Sequence, residues 1–184
     1  MELIKEKDLY IIDELCSREI NIDEFRIQSS FQANFEQIRY LLYRSKDEIE
    51  DHCNKYTEAI FWRLPKDITK QEEVILFREF ILVNWHCEHE EMATAFQIDF
   101  HDDIVNIDVL IKAFKNPPSY LLEDDFRHSY LRKLIYAIGA QPSPQNIQAL
   151  ESLLELEDDY VKGLVKHQIE KRNKYGRWEA GEKK

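Results

Sequence analysis

Three acidic pairs, Glu90-Glu91, Asp124-Asp125 and Asp158-Asp159, recur at steps of 34 residues. No other feature of the chain narrows its fold as much. A large apolar or aromatic residue follows each pair: Met92, Phe126 and Tyr160. Small residues come next, Ala95, Ser129 and Gly163, then Phe96, Tyr130 and Leu164. The small positions are where neighbouring helices are expected to approach closely. The preceding segments align as well. Leu76 and Phe80 stand 34 residues before Leu110 and Phe114, while Ile107 and Leu110 stand 40 before Ile147 and Leu150. A period of this length marks helix pairs that cannot bury their apolar faces alone and must stack on their neighbours. The expectation is an all-α chain, with an α-solenoid of stacked antiparallel helix pairs over residues 67–173. A helical N-terminal region over 1–66 precedes it, and a polar tail over 174–184 follows.

The rest of the pattern agrees with helices. Only 4 Gly and 5 Pro are present, too few for the many tight turns of a strand-rich fold. Apolar periodicity predicts helices over 3–15 and 23–44, the second with a stripe of Phe31, Phe35, Ile38, Leu41 and Leu42. Ser45 and Glu48 have capping-box spacing and predict a further helix to about Leu64, with Ile49, Cys53, Tyr56 and Ile60 on one face. Thr69 and Glu72 repeat that spacing ahead of Leu76, Phe77, Phe80 and Ile81. After a break near Trp85-His86, helices are expected over 88–98, 104–115, 125–138, 144–155 and 158–172. Gly139 suits a C-terminal cap, and Ser143-Pro144 an N-cap with proline at the first helical position.

Composition narrows the function. The formal net charge is −11, which disfavours nucleic-acid binding, because a phosphate backbone is held by a positive surface. An acidic surface suits a basic protein partner, or simply keeps the chain soluble. Cys16, Cys53 and Cys87 are odd in number and far apart, unlike a disulfide framework. The charged N-terminus lacks a signal-peptide apolar segment, and no apolar run approaches a membrane span. A cytoplasmic protein with no membrane partner is expected.

Candidate chemistry is sparse. His86-Cys87-Glu88-His89 contains zinc-type ligands but lacks a second Cys/His pair at zinc-finger spacing, and it is not HExxH. It reads as a structural turn, with histidine packed on Trp85 or bonded to backbone, and no metal is expected. Asp99, His101, Asp102 and Asp103 could in principle do acid–base work or hold Mg²⁺. They read more simply as a loop capping the helix that begins near Ile104. The acidic pairs have the same helix-start explanation. On stacked repeats they would also line one edge as a negative stripe able to steer a basic partner. No GxSxG, Gly-rich phosphate loop or catalytic cysteine setting is present, so no catalytic residues and no cofactor are assigned. Lys166, His167, Lys171, Arg172, Lys174 and Arg177 read as helix C-terminal charge, and Trp62, Trp85 and Trp178 as packing anchors.

Over about 80–170 the chain resembles the HEAT-repeat-like immunity proteins of bacterial polymorphic toxin and contact-dependent growth inhibition systems. The resemblance rests on Asn84-Trp85-His86 followed by His89-Glu90-Glu91, then Tyr120-Leu121 and Asp124-Asp125-Phe126. It continues through Leu131-Arg132-Lys133-Leu134-Ile135-Tyr136-Ala137-Ile138-Gly139 and a helix pair after it. The chain departs from the family at Gln97-Ile98-Asp99-Phe100-His101, where a "GD/DP" style turn is usual, and its first 65 residues match no pattern. The resemblance implies a HEAT-like solenoid that binds and neutralises one cognate toxin domain by stoichiometric complex formation. The acidic surface points to a basic toxin, with a nuclease as the leading candidate. The alternatives are a helical-repeat scaffold or adaptor for another protein, and a helical-repeat enzyme acting on nucleic acid, which would need a basic concave face. The partner-contact pool is Glu88, Glu91, Asp102, Asp103, Asp124, Asp125 and Asp159.

Overall fold

Asn21 and Asn34 each begin a helix by closing a full capping box. The Asn side chain accepts backbone N–H groups three residues on, and Glu24 or Gln37 reaches back to the Asn N–H. The predicted helix over 23–44 is therefore two helices. The residues between them run extended, and Ala33 forms a single parallel bridge with Lys66. Two reciprocal caps outweigh an apolar stripe that merely continues in register across the break. Phe31, assigned to that stripe, lies in the linker.

A computed structural model describes residues 3–46 and 55–176 of the chain. Among them the protein is all-α. The helices are α1 (Glu6–Cys16), α2 (Ile22–Gln28), α3 (Phe35–Ser45), α4 (Lys55–Trp62), α5 (Lys70–Phe80), α6 (His89–Ile98), α7 (Val105–Lys115), α8 (Asp124–Ala140), α9 (Gln145–Ser152) and α10 (Asp159–Tyr175). Short 3₁₀ turns precede α8 and follow α9. No described helix is long and apolar enough to cross a membrane. The expected stripe residues Ile49 and Cys53, the cap residue Glu48, and Arg177 and Trp178 lie outside the described residues. Ser45 is no cap. It is buried near the end of α3, and its hydroxyl bonds the Leu42 carbonyl and pairs with the Thr57 hydroxyl.

The chain divides into two compact units. The first comprises residues 1–77 with 85–88, and the second 78–84 with 89–184. In the first, α4 packs on α1 and on α3, and α1 on α2, around Ile12, Leu15, Phe25, Ile38, Leu42 and Ile60. Arg44 of α3 grips the Asp13 carboxylate of α1 with both guanidinium nitrogens, at 2.9 and 3.0 Å. Thr69 and Glu72 form the expected capping pair: the Glu72 carboxylate accepts the Thr69 N–H, and Thr69 Oγ1 accepts the Glu72 N–H.

In the second unit α6 packs on α8 and α8 on α10, while α7 and α9 pack on each other and both on α8. Phe96, Leu110, Tyr130, Leu134, Ile135, Ile138, Leu150 and Val165 fill the space between them. Each fully buried Leu, Ile, Val or Phe among them contributes about 1.5–3 kcal/mol. Buried amides organise this apolar core. Asn106, at the start of α7, donates to the Phe100 carbonyl and to Gln141 Oε1, and its own oxygen accepts Arg78 Nε. Gln141 in turn donates to the Phe96 and Ala137 carbonyls. Forty residues on, Asn146 at the start of α9 donates to the Gly139 carbonyl. The offset between Ile107 and Ile147 thus extends to a pair of buried asparagines that tie each first helix to the end of the helix before it.

Two expectations about small residues change. Gly139 does not cap α8, which runs on through Ala140. A Cβ there would overlap the Gln168 side chain of α10, so the glycine serves close helix approach. Gly163, expected at such an approach, faces open space. Cys87 is disulfide-bonded, against the expectation from cysteine spacing. Sequence separation does not report which thiols the fold brings within bonding distance.

Asn106→Ala leaves a guanidinium nitrogen, an amide oxygen and a carbonyl without their partner, and is expected to cost about 2–4 kcal/mol of unfolding free energy. Urea titration at unchanged m-value measures it, and a loss under about 0.5 kcal/mol would show that water replaces the amide. Gly139→Ala is expected to destabilise by about 1–3 kcal/mol through Gln168. A double-mutant cycle with Gln168→Ala should recover part of that loss, and strict additivity would refute the contact.

Candidate partner-binding surface

Free N–H groups and the positive end of the dipole draw carboxylates to helix starts. All three acidic pairs fall there. Glu90-Glu91 lies in the first turn of α6, Asp124-Asp125 opens α8, and Asp158 is the N-cap of α10 with Asp159 behind it. In the first and third pairs the two members divide. The leading residue is engaged within the protein. Glu90 takes the Lys133 ammonium of α8 at 2.9 Å. Asp158 accepts the Val161 N–H at 3.0 Å and stands 3.6 Å from Arg127 of α8. The trailing residues, Glu91 and Asp159, are exposed. Asp125 in the middle pair is exposed as well. α8 therefore supplies the cations that hold the starts of α6 and α10, and one carboxylate of each of these pairs is left to solvent. Burial works to raise the Glu90 pKa, but hydrogen bonds from Lys133 and Ser129 outweigh it and hold the carboxyl below its usual range.

The other assigned residues differ in setting. Asp102 is exposed, with His101 Nδ1 3.5 Å away. Asp103 is half-buried and committed. Its Oδ1 accepts the Val105 N–H at the start of α7, and its Oδ2 takes the Arg78 guanidinium. These two contacts, the backbone N–H first, lower its pKa. Glu88, in the first unit, accepts the Trp62 indole N–H at 2.6 Å. Of the pool, Glu91, Asp102, Asp125 and Asp159 present exposed carboxylates, while Asp103 and Glu88 also serve the fold.

The histidine cluster is structural on its geometry. His86 is fully buried, edge-on to Trp85 at 5.4 Å between centroids, and its Nδ1 accepts the Glu88 N–H. His89 is fully buried too. Its Nε2 donates to the Val83 carbonyl at 2.7 Å, and its Nδ1 shares a hydrogen bond with the Tyr120 hydroxyl at 3.0 Å. Both His89 nitrogens are thereby used. Among the described residues no three His, Cys, Asp or Glu side chains converge on a point that could hold a metal ion.

Sequence reasoning missed the apolar part of this surface. The large residue after each acidic pair was read as one repeated position. Met92 is fully buried, whereas Phe126 and Tyr160 are 55% and 45% exposed. The helix start moves one residue later per repeat relative to the acidic pair, which brings Phe126 and Tyr160 nearer the start of their helices than Met92. Leu122 is 56% exposed. The His128 ring of α8 stacks on Tyr160 at 4.2 Å between centroids.

No family model, curated protein or solved structure matches the chain.

Asp103 gives a pH test. Its folded pKa lies below the unfolded value, so its contribution is present above the unfolded pKa, about 3.9, and is lost as pH falls through the folded value. Asp103→Asn keeps a capping oxygen but no charge. The stability gap between parent and variant is expected to hold from neutral pH to about 4 and to shrink below it. A gap that widens with acid would contradict the assignment.

Proposed function

We propose that this chain is an immunity protein, a helical-repeat inhibitor that binds one basic toxin domain in a stoichiometric complex and acts without catalysis. The observation that carries the reading is the division within the acidic pairs. Glu91 and Asp159 are exposed at helix starts where Glu90 and Asp158 are the members engaged within the fold. A carboxylate that neither caps a helix nor pairs with a neighbour adds self-repulsion to a chain of net charge −11. A basic partner removes that repulsion and is steered by it. The sequence resemblance over 80–170 points the same way.

The reading includes a HEAT-like solenoid in the second unit. What supports it is the order of packing: α6, α8 and α10 in succession on one side, α7 against α9 on the other. In such a stack the exposed carboxylates of successive helix starts fall along one edge. The partner is expected to be a nuclease-type basic domain, encountered in the cytoplasm of the producing cell.

The test is a kinetic binding experiment with the purified product of the adjacent open reading frame. Raising salt from 50 to 300 mM is expected to slow association at least tenfold while changing dissociation far less, because exposed charges are screened beyond about 8–10 Å near physiological ionic strength. Asp125→Lys with Asp159→Lys should remain folded and lose protection of cells expressing that product. Salt-independent binding with full protection by the variant would reduce the acidic positions to helix capping.

A further inference from the structure

Phe126 and Tyr160 are about half exposed at the starts of α8 and α10. The Tyr160 ring is held in place. His128 stacks on Tyr160, and Arg127 and His128 both reach Asp158, at 3.6 and 3.9 Å. These contacts tie the start of α10 to the first turns of α8 that carry Phe126. Leu122, as exposed as Phe126, lies four residues before it, ahead of α8. This apolar strip gains little from folding. Tyr130, four residues after Phe126 and so on the same face of α8, is fully buried, whereas Phe126 in the first turn is 55% exposed, so the cover on that face stops short of the helix start.

The rim of the strip is anionic. Glu123, Asp125, Glu157 and Asp159 are all exposed and flank the rings in sequence on both helices. Arg127, the cation among them, is drawn to Asp158. A nucleic acid is repelled by such a rim, and a neutral apolar partner would have to strip water from four carboxylates without compensation. A Lys- or Arg-bearing loop fits both parts. Its methylene stem covers an aromatic face, its charged head meets a carboxylate at the rim, and an arginine adds attraction to the ring itself.

We propose that the Leu122–Phe126–Tyr160 strip is the anchor site for a cationic loop of the protein partner, with Phe126 and Tyr160 holding the complex and the surrounding carboxylates guiding the approach. This rests on the immunity reading above and names the part of the surface that sets residence time. Exposed rigid aromatics inside a polar rim are where binding energy concentrates, and rim charges act chiefly on the association rate.

The experiment measures association and dissociation of the full chain with the purified product of the adjacent open reading frame. Phe126→Ala with Tyr160→Ala is compared with Asp125→Lys with Asp159→Lys, each checked by circular dichroism. The ring variant is expected to dissociate at least roughly tenfold faster with little change in association. Phe126→Tyr with Tyr160→Phe should restore parental dissociation, since rings are kept. The charge variant should slow association. Should the double alanine variant fail to fold, Phe126→Ala alone carries the same test at about threefold. Salt-sensitive parental binding with unchanged dissociation in the ring variants overturns this inference and leaves the immunity reading standing. Absence of any complex with the parent chain overturns the reading itself, and the anchor site with it.

Discussion

The second unit depends on the buried amide of Asn106. Through it the Arg78 guanidinium at the end of α5, the Phe100 carbonyl after α6 and the Gln141 side chain after α8 meet at the first turn of α7. Gln141 extends the chain of bonds to the Phe96 and Ala137 carbonyls. Helix ends leave carbonyls without partners, and burying them in an apolar core would cost several kcal/mol. The amides supply those partners while fixing where each following helix begins. Apolar contacts tolerate sliding, whereas a satisfied polar network holds one register. Asn146 repeats the device at the start of α9.

The exposed carboxylates follow from the same packing. Once α7 and α9 are seated, α8 lies among its neighbours with Lys133 directed to Glu90 and Arg127 to Asp158. Both pairs are only partly buried, so each is worth little by itself and is weakened by salt. Their consequence for the surface is larger. They commit Lys133 and Arg127 to Glu90 and Asp158, while Glu91, Asp125 and Asp159 stay exposed.

Much of the fold was legible because it rests on local chemistry. The helices over 88–98, 104–115, 125–138 and 158–172 begin within a residue or so of α6, α7, α8 and α10. The Thr69–Glu72 box, the Asp158 cap and the Asp103 bond to Val105 sit where their spacing placed them. What escaped depends on residues distant in sequence. Gly139 looked like a helix stop because nothing local records Gln168 opposite it. Asn106 and Gln141, 35 residues apart, carry no sign of meeting. The break between α2 and α3 was available in the Asn34–Gln37 spacing, but Phe31 continued the apolar stripe and masked it. At the candidate surface, helix capping was legible. The exposure of Phe126 and Tyr160 was not, since it depends on how far the neighbouring elements cover the first turns of α8 and α10.

The central claim is that each acidic pair at α6 and α10 is divided between fold and partner, and carboxyl footprinting tests it most directly. The chain is labelled with a carbodiimide and an amine, alone and in complex with the product of the adjacent open reading frame, and modification is read by mass spectrometry at single residues. The expected result is slow labelling of Glu90 and Asp158 in both states. Glu91, Asp125 and Asp159 should label quickly in the free chain and be protected in the complex. Equal labelling within each pair in the free chain, or a complex that leaves Glu91, Asp125 and Asp159 as reactive as before, would contradict the account.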